Sequence, residues 1–298
     1  MPYSTNNKSN VYVNTPKHLT NIENDIDTTY TLNDVRDLMR VLNDKSLLAR
    51  QIKAEYQILT SKPILKVTSG YENVDIKSGA ATFEDYTNKS LIKKQDERVG
   101  YIIATLPDQT DIANFWTMVT DYHVSYILLL LKKMEKISEF FPKSDDPIIT
   151  QQFKVEVSSF EKNHNNIFEF VLDIWNKEKK TTGQVKLYKT IDWKVEEKYP
   201  SIDTICKLLD VVIKEPGMIA LIGSNGFGFP VCGVLGACYE VFNAINNEKD
   251  FNILQIVVCI KRMRPDLFQT FEEYNLCYKV IDQFLQNEHT YAVIDEQI

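Results

Sequence analysis

The chain has 298 residues, 44% of them hydrophobic and 25% charged, with a formal net charge of −7. That is enough apolar material for a packed interior at an ordinary charge density. The acidic balance is the reverse of the basic stripe with which a protein meets nucleic-acid phosphates, so no nucleic acid is expected as a partner.

Residues 1–29 are rich in Asn, Ser, Thr and Asp and have little to bury. They predict a flexible N-terminal arm, followed by a single domain over residues 30–298. The arm has no apolar run of the kind a secretory signal carries. The most apolar stretch, residues 126–131, is too short to cross a bilayer and reads as a buried strand. The expectation is a cytoplasmic protein with no membrane partner. Apolar positions Leu32, Val35, Leu38, Met39, Leu42, Leu47 and Leu48 recur at helical spacing and predict helix over residues 32–59. Residues 111–120 read as a helix and residues 124–131 as a central strand. Residues 153–157, 167–174 and 185–191 alternate as antiparallel strands do, with Lys177-Glu178-Lys179-Lys180 as a solvated hairpin turn. Residues 202–213 form a helix feeding a strand that ends at Ile222. Residues 231–245, 251–260 and 271–285 close the chain as helices. This succession predicts an α/β domain in which helices flank a highly twisted mixed sheet.

Five cysteines (Cys206, Cys232, Cys238, Cys259 and Cys277) fall in apolar helical patterns without metal-ligand spacing, and read as buried, reduced thiols. The four histidines (His18, His123, His164 and His289) are scattered, with no triad or ligand spacing. No metal and no cofactor is expected.

The most informative stretch is residues 218–237, M-I-A-L-I-G-S-N-G-F-G-F-P-V-C-G-V-L-G-A. An apolar strand runs into Gly223, Gly226 and Gly228, and Pro230 then opens a helix. Closely spaced glycines let backbone N–H groups turn inward at a helix N-terminus, which is the outline of a phosphate-binding loop. Proline suits the first helical position because its missing N–H would have had no helical partner there.

That loop resembles the signature loop of protein tyrosine phosphatases, His-Cys-Ser-Ala-Gly-x-Gly-Arg-Ser/Thr-Gly. Ile222 stands at the histidine, Gly223 at the nucleophilic cysteine, Ser224 at the serine, Gly226 and Gly228 at the glycines, and Phe229 at the arginine. Ile191-Asp192-Trp193-Lys194-Val195 is similar to the segment bearing the family's Trp-Pro-Asp loop, with Lys194 at the proline and Val195 at the acid. Asn114-Phe115-Trp116-Thr117-Met118-Val119 resembles the family's D-F-W-x-M-V helix. Asp85-Tyr86-Thr87-Asn88-Lys89-Ser90 resembles D-Y-I-N-A-S, and Tyr71-Glu72-Asn73-Val74 stands where an aromatic wall stacks on phosphotyrosine. Arg264-Pro265-Asp266-Leu267-Phe268-Gln269-Thr270 is similar to R-x-G-x-V-Q-T, whose glutamine positions the hydrolytic water. Within the family the chain resembles the tyrosine-phosphatase-like proteins of polydnaviruses (bracoviruses), on residues 114–119 and 263–274, with nematode pseudophosphatases as the alternative likeness. The polydnavirus likeness implies action in the cytoplasm of a host cell, on immune signalling.

The resemblance carries the fold and withholds the chemistry. Glycine at 223 offers no nucleophile. A benzyl group at 229 cannot hold two phosphate oxygens as a guanidinium does. Valine at 195 has no proton for a leaving phenolate. The expectation is therefore no phosphatase activity, with protein binding or a decoy role in tyrosine-phosphorylation signalling. Partners would be signalling proteins, tyrosine- or phosphotyrosine-containing. A phosphotyrosine reader and an enzyme of another mechanism stay open as alternatives. For binding, the candidates are Tyr71, Ser224, Gly226, Gly228 and Gln269. Phe229 either fills the old pocket or faces out as an anchor, and filling is expected. No replacement nucleophile or cation is visible at the loop.

Overall fold

The computed structural model describes residues 35–60, 89–93, 100–107, 109–133, 141–143, 146–162, 167–190, 193–214, 217–224, 226–247, 249 and 251–295. The proposed arm at residues 1–29, Tyr71 and Asp192 lie outside these.

Among the described residues, eight strands form one mixed sheet: β1 (Lys89–Lys93), β2 (Gly100–Thr105), β3 (Val124–Leu130), β4 (Ile148–Ile149), β5 (Phe153–Lys162), β6 (Ile167–Asn176), β7 (Thr181–Thr190) and β8 (Met218–Gly223). Their spatial order is β1-β2-β8-β3-β7-β6-β5-β4. The central β2, β8, β3 and β7 run parallel to their neighbours in that group, while β1 and the β7-β6-β5-β4 meander pair antiparallel. Parallel strands are buried on both faces, and β8 accordingly shows six buried residues in a row. Within β8, Ile219 and Leu221 point to one core, and Met218, Ala220 and Ile222 to the other.

The smaller core lies under α3 (Ile112–Asp121), where Phe115, Trp116, Met118 and Val119 are buried. The larger lies under the other helices: α1 (Val35–Asn43), α2 (Lys45–Thr60), α4 (Ile202–Ile213), α5 (Gly228–Asn246), α6 (Ile253–Met263) and α7 (Phe271–Asp295). The helical region at the start of the chain is two helices. Asp44 breaks it, its carboxylate accepting the N–H groups of Ser46 and Leu47 at 2.9 and 3.0 Å as an N-cap does. Ser201 caps α4 through the Thr204 N–H at 3.1 Å, and Asn252 caps α6 through the Gln255 N–H at 2.9 Å. Helix α5 is long and apolar enough to cross a membrane, but 83% of its apolar window is buried, and it packs against β8, α6 and α7 as the core helix.

Several boundaries differ from the sequence reading, among them α7, which runs on to Asp295, and β7, which starts at Thr181. Helix α5 starts at Gly228, so Pro230 is its third residue rather than its first; it remains in the first turn, where a missing N–H breaks no helical bond. Strands β5 and β6 each run ten residues, because the hairpin ladder continues where the hydrophobic alternation has stopped.

One buried polar cluster ties the two ends of the described chain together. The Glu55 carboxylate of α2 accepts Tyr278 Oη at 2.5 Å and Tyr274 Oη at 2.8 Å from α7, and Gln51 Nε2 at 2.7 Å. Burial raises its pKa, and the three donors oppose that rise.

Candidate functional site

The glycine loop sits where β8 ends and α5 begins, at the carboxyl ends of the parallel strands. In open α/β sheets this end holds the ligand crevice. The loop here has folded in on itself. The Ser224 N–H donates to the Leu130 C=O at 3.4 Å, at the end of β3. The Phe229 N–H donates to the Ser224 C=O at 3.0 Å, and the Gly228 N–H to Ser224 Oγ at 3.2 Å. Three of the backbone donors that could have met a phosphate thus have acceptors within the protein. Gly226, at φ +87°, supplies the left-handed residue that this tight path needs.

The glycines are required by contact. A Cβ at 223 would lie 2.3 Å from the Gly228 carbonyl carbon and 2.4 Å from the Phe229 nitrogen. A Cβ at 228 would lie 1.8 Å from the Leu130 carbonyl oxygen. The space in which a nucleophile's side chain would stand is occupied by backbone.

Of the two orientations open to Phe229, the chain takes the inward one, at 6% exposure. Its ring lies under the Arg264 guanidinium, 4.2 Å from carbon Cζ to ring centroid. Arg264 is itself held by Asp266, with Nε to Oδ1 at 3.1 Å and a second nitrogen to Oδ2 at 2.8 Å. That hydrogen bond lowers the Asp266 pKa.

A second cation lies at the mouth. Lys132, just beyond β3 and 6% exposed, places Nζ 2.8 Å from the Val195 C=O, 3.9 Å from the Phe227 ring centroid and 5.7 Å from that of Trp193. Two cations therefore flank the loop, which corrects the expectation of none. Sequence reasoning passed them over because their loop partners, Phe229 and Val195, are 35 and 63 residues away, and both arrive through the sheet's crossovers. An apolar strand ending in Lys132-Lys133 was the available signal for one of them.

Trp193 is fully buried, and its Nε1 donates to the Glu197 C=O at 3.1 Å. Val195 is 53% exposed and Phe227 49% exposed, so the lip of the filled site is apolar. Gln269 makes its hydrogen bonds away from the loop residues: its Nε2 donates to the Pro265 C=O, its N–H bonds Glu273 Oε2 at 2.8 Å, and its C=O accepts Tyr56 Oη at 3.0 Å. Cys232 is buried behind the loop in α5, with Sγ 3.4 Å from the Gly228 C=O, and burial raises its pKa. All five cysteines are buried and unpaired as disulfides. A cavity of about 510 Å³ opens at the far end of the sheet, lined by Thr120, Ser125, Asn176 and Gly183 among others.

The strand order and the strand–glycine loop–helix site define an α/β phosphatase-fold domain. The profile of the protein-tyrosine phosphatase family matches residues 67–283, and the chain belongs to that family. It is 28% identical over 214 residues to tyrosine-protein phosphatase non-receptor type 20 of Rattus norvegicus, an alignment covering 68% of this chain and 50% of that protein. The chain thus spans about half the length of the curated relatives it matches first. Among solved structures, PTPN18 in complex with a HER2 phosphopeptide aligns at TM-score 0.61 and 17% identity, covering 84% of this chain and 99% of that one. TcPTP1, a protein tyrosine phosphatase of Trypanosoma cruzi, aligns at TM-score 0.63 and 14% identity, covering 82% and 95%. These likenesses establish the fold.

Proposed function

We propose that this chain is a pseudophosphatase, a tyrosine-phosphatase fold that acts by binding signalling proteins or by standing as a decoy in tyrosine-phosphorylation signalling. The observation that carries the reading is the filled loop. Gly223 has no nucleophile and no room for one, and Phe229 stands on Arg264 where a phosphate-holding guanidinium would be needed. The position of the proton donor is held by Val195, an exposed aliphatic side chain. PTPN18, a structural neighbour, is described in complex with HER2 phosphopeptides, which makes signalling proteins the natural class of partner. The likeness to polydnavirus proteins sets the proposed scene in a host cytoplasm, on immune signalling.

The test is turnover. Purified protein incubated with para-nitrophenyl phosphate and with a phosphotyrosine peptide, from about pH 5 to about pH 8, should release phosphate no faster than a buffer blank. Release that survives repurification and is stopped by vanadate would overturn the proposal.

A further inference from the structure

The segment carrying Trp193 and Val195 is fastened at several points. The Lys133 N–H donates to the Trp193 C=O at 3.0 Å, adding a rung beyond the end of β3. The Glu197 N–H donates to the Lys194 C=O at 3.3 Å, closing a turn over residues 194–197. The Glu197 carboxylate returns to the same residue, accepting the Lys194 N–H at 3.3 Å and lying 3.6 Å from its ammonium. The Glu197 C=O holds the Trp193 indole from within. Across this turn Lys132 reaches from β3's exit, donating to the Val195 C=O while its ammonium lies against the Phe227 ring of the glycine loop.

We propose that Lys132 is a latch: it pins the Trp193–Val195 turn to the glycine loop and keeps the mouth shut without any ligand. Three segments remote in sequence meet at one ammonium, which is 6% exposed and so sheltered from competing water. The shut mouth presents Val195 and Phe227 on a fixed surface, so a partner meets a preformed lip instead of driving a closure. This deepens the binding reading and takes its biological sense from it.

Hydrogen exchange on the whole chain tests the latch. In the wild type the N–H groups of Lys133, Lys194 and Glu197 should be protected. Lys132→Met, which keeps the apolar stem and removes the ammonium, should speed their exchange by about tenfold or more, the effect of losing one charge-assisted hydrogen bond. Lys132→Arg should retain most of the protection, and exchange within β3 and α5 should hold steady in both. A wild-type turn exchanging as freely as unstructured chain, or a Lys132→Met variant exchanging like the wild type, would overturn the latch. If Lys132→Met does not fold, Phe227→Ala decides, since its half-exposed ring can be lost without opening the core: faster exchange at the same amides supports the latch, and unchanged exchange ends it. Phosphatase turnover by the wild type would sink the binding reading and leave the exchange result standing, so the two failures are distinguishable.

Discussion

Arg264 and Phe229 are a stacked pair, with the guanidinium carbon 4.2 Å from the ring centroid, and this contact governs what substitution in the loop can do. Phe229→Arg would bring a second guanidinium against the first in a buried site. Like charges there repel, and one of them must be desolvated without a partner. The variant should lose about 2–4 kcal/mol of stability and gain no vanadate affinity. Urea midpoints and a vanadate titration check both outcomes.

Gly223→Cys places its Cβ on the backbone of Gly228 and Phe229. The cost should exceed about 2 kcal/mol, because the atoms in the way belong to main chain that is hydrogen-bonded to Ser224. Adding Phe229→Arg and Val195→Asp would supply the three missing groups and still leave the loop without its hollow. The expected outcome is no turnover of para-nitrophenyl phosphate by either the single or the triple variant. Steady turnover by the triple variant would show that the loop opens more readily than its contacts imply.

Glu55 gives a pH-dependent prediction. Burial holds its carboxyl above the ordinary value of 4.5, so the folded state binds this proton more tightly than the unfolded state. For an acid raised in this way, the contribution to stability is complete below the unfolded pKa and is lost as pH rises through the folded one. Glu55→Gln removes that loss, so the wild type should weaken relative to this variant as pH climbs from 4.5. Glu55→Ala should instead cost about 2–5 kcal/mol, because the hydroxyls of Tyr274 and Tyr278 lose their acceptor. Urea denaturation across a pH series separates the two.

The thiols offer a simpler check. Burial pushes Cys206 up to about 12 and raises Cys232 and Cys238 as well. The thiolate is the reactive form. A disulfide reagent at neutral pH should therefore modify the native protein slowly, and all five thiols promptly once the chain is unfolded.

The central strands and most helices were legible because periodicity and burial coincide in them. Helix α4 and strand β8 are two such cases, each with one apolar face or run bounded by a cap or a glycine. The second half of β5 and the first four residues of β7 were not legible, since residues 158–162 and 181–184 are exposed and carry no alternation that a core would impose. At the site, the substitutions at Gly223, Phe229 and Val195 could be read residue by residue. The collapse of the loop could not be, because it depends on the Leu130 carbonyl and the Ser224 hydroxyl meeting N–H groups that a sequence motif leaves unassigned. Inward glycine amides suggested a residual phosphate nest, and in the structure those of Gly228 and Phe229 close on Ser224. Arg264 was visible within its motif, yet its partner across the fold was not. Glu55 gave no sign at all, its tyrosines standing 219 and 223 residues away.

The backbone packed into the space beside Gly223 also bears on descent. A protein a few kcal/mol above its folding threshold tolerates few destabilising steps at once. Any single change that put a side chain back at 223 or 228 would strain main chain before it restored a chemical group. On the proposed reading, the path from this loop to a catalytic one runs uphill at its first step, and selection acting on one residue at a time meets a ratchet. Repeated reversion should be rarer among chains that share this pair of contacts than among relatives that lack only the cysteine.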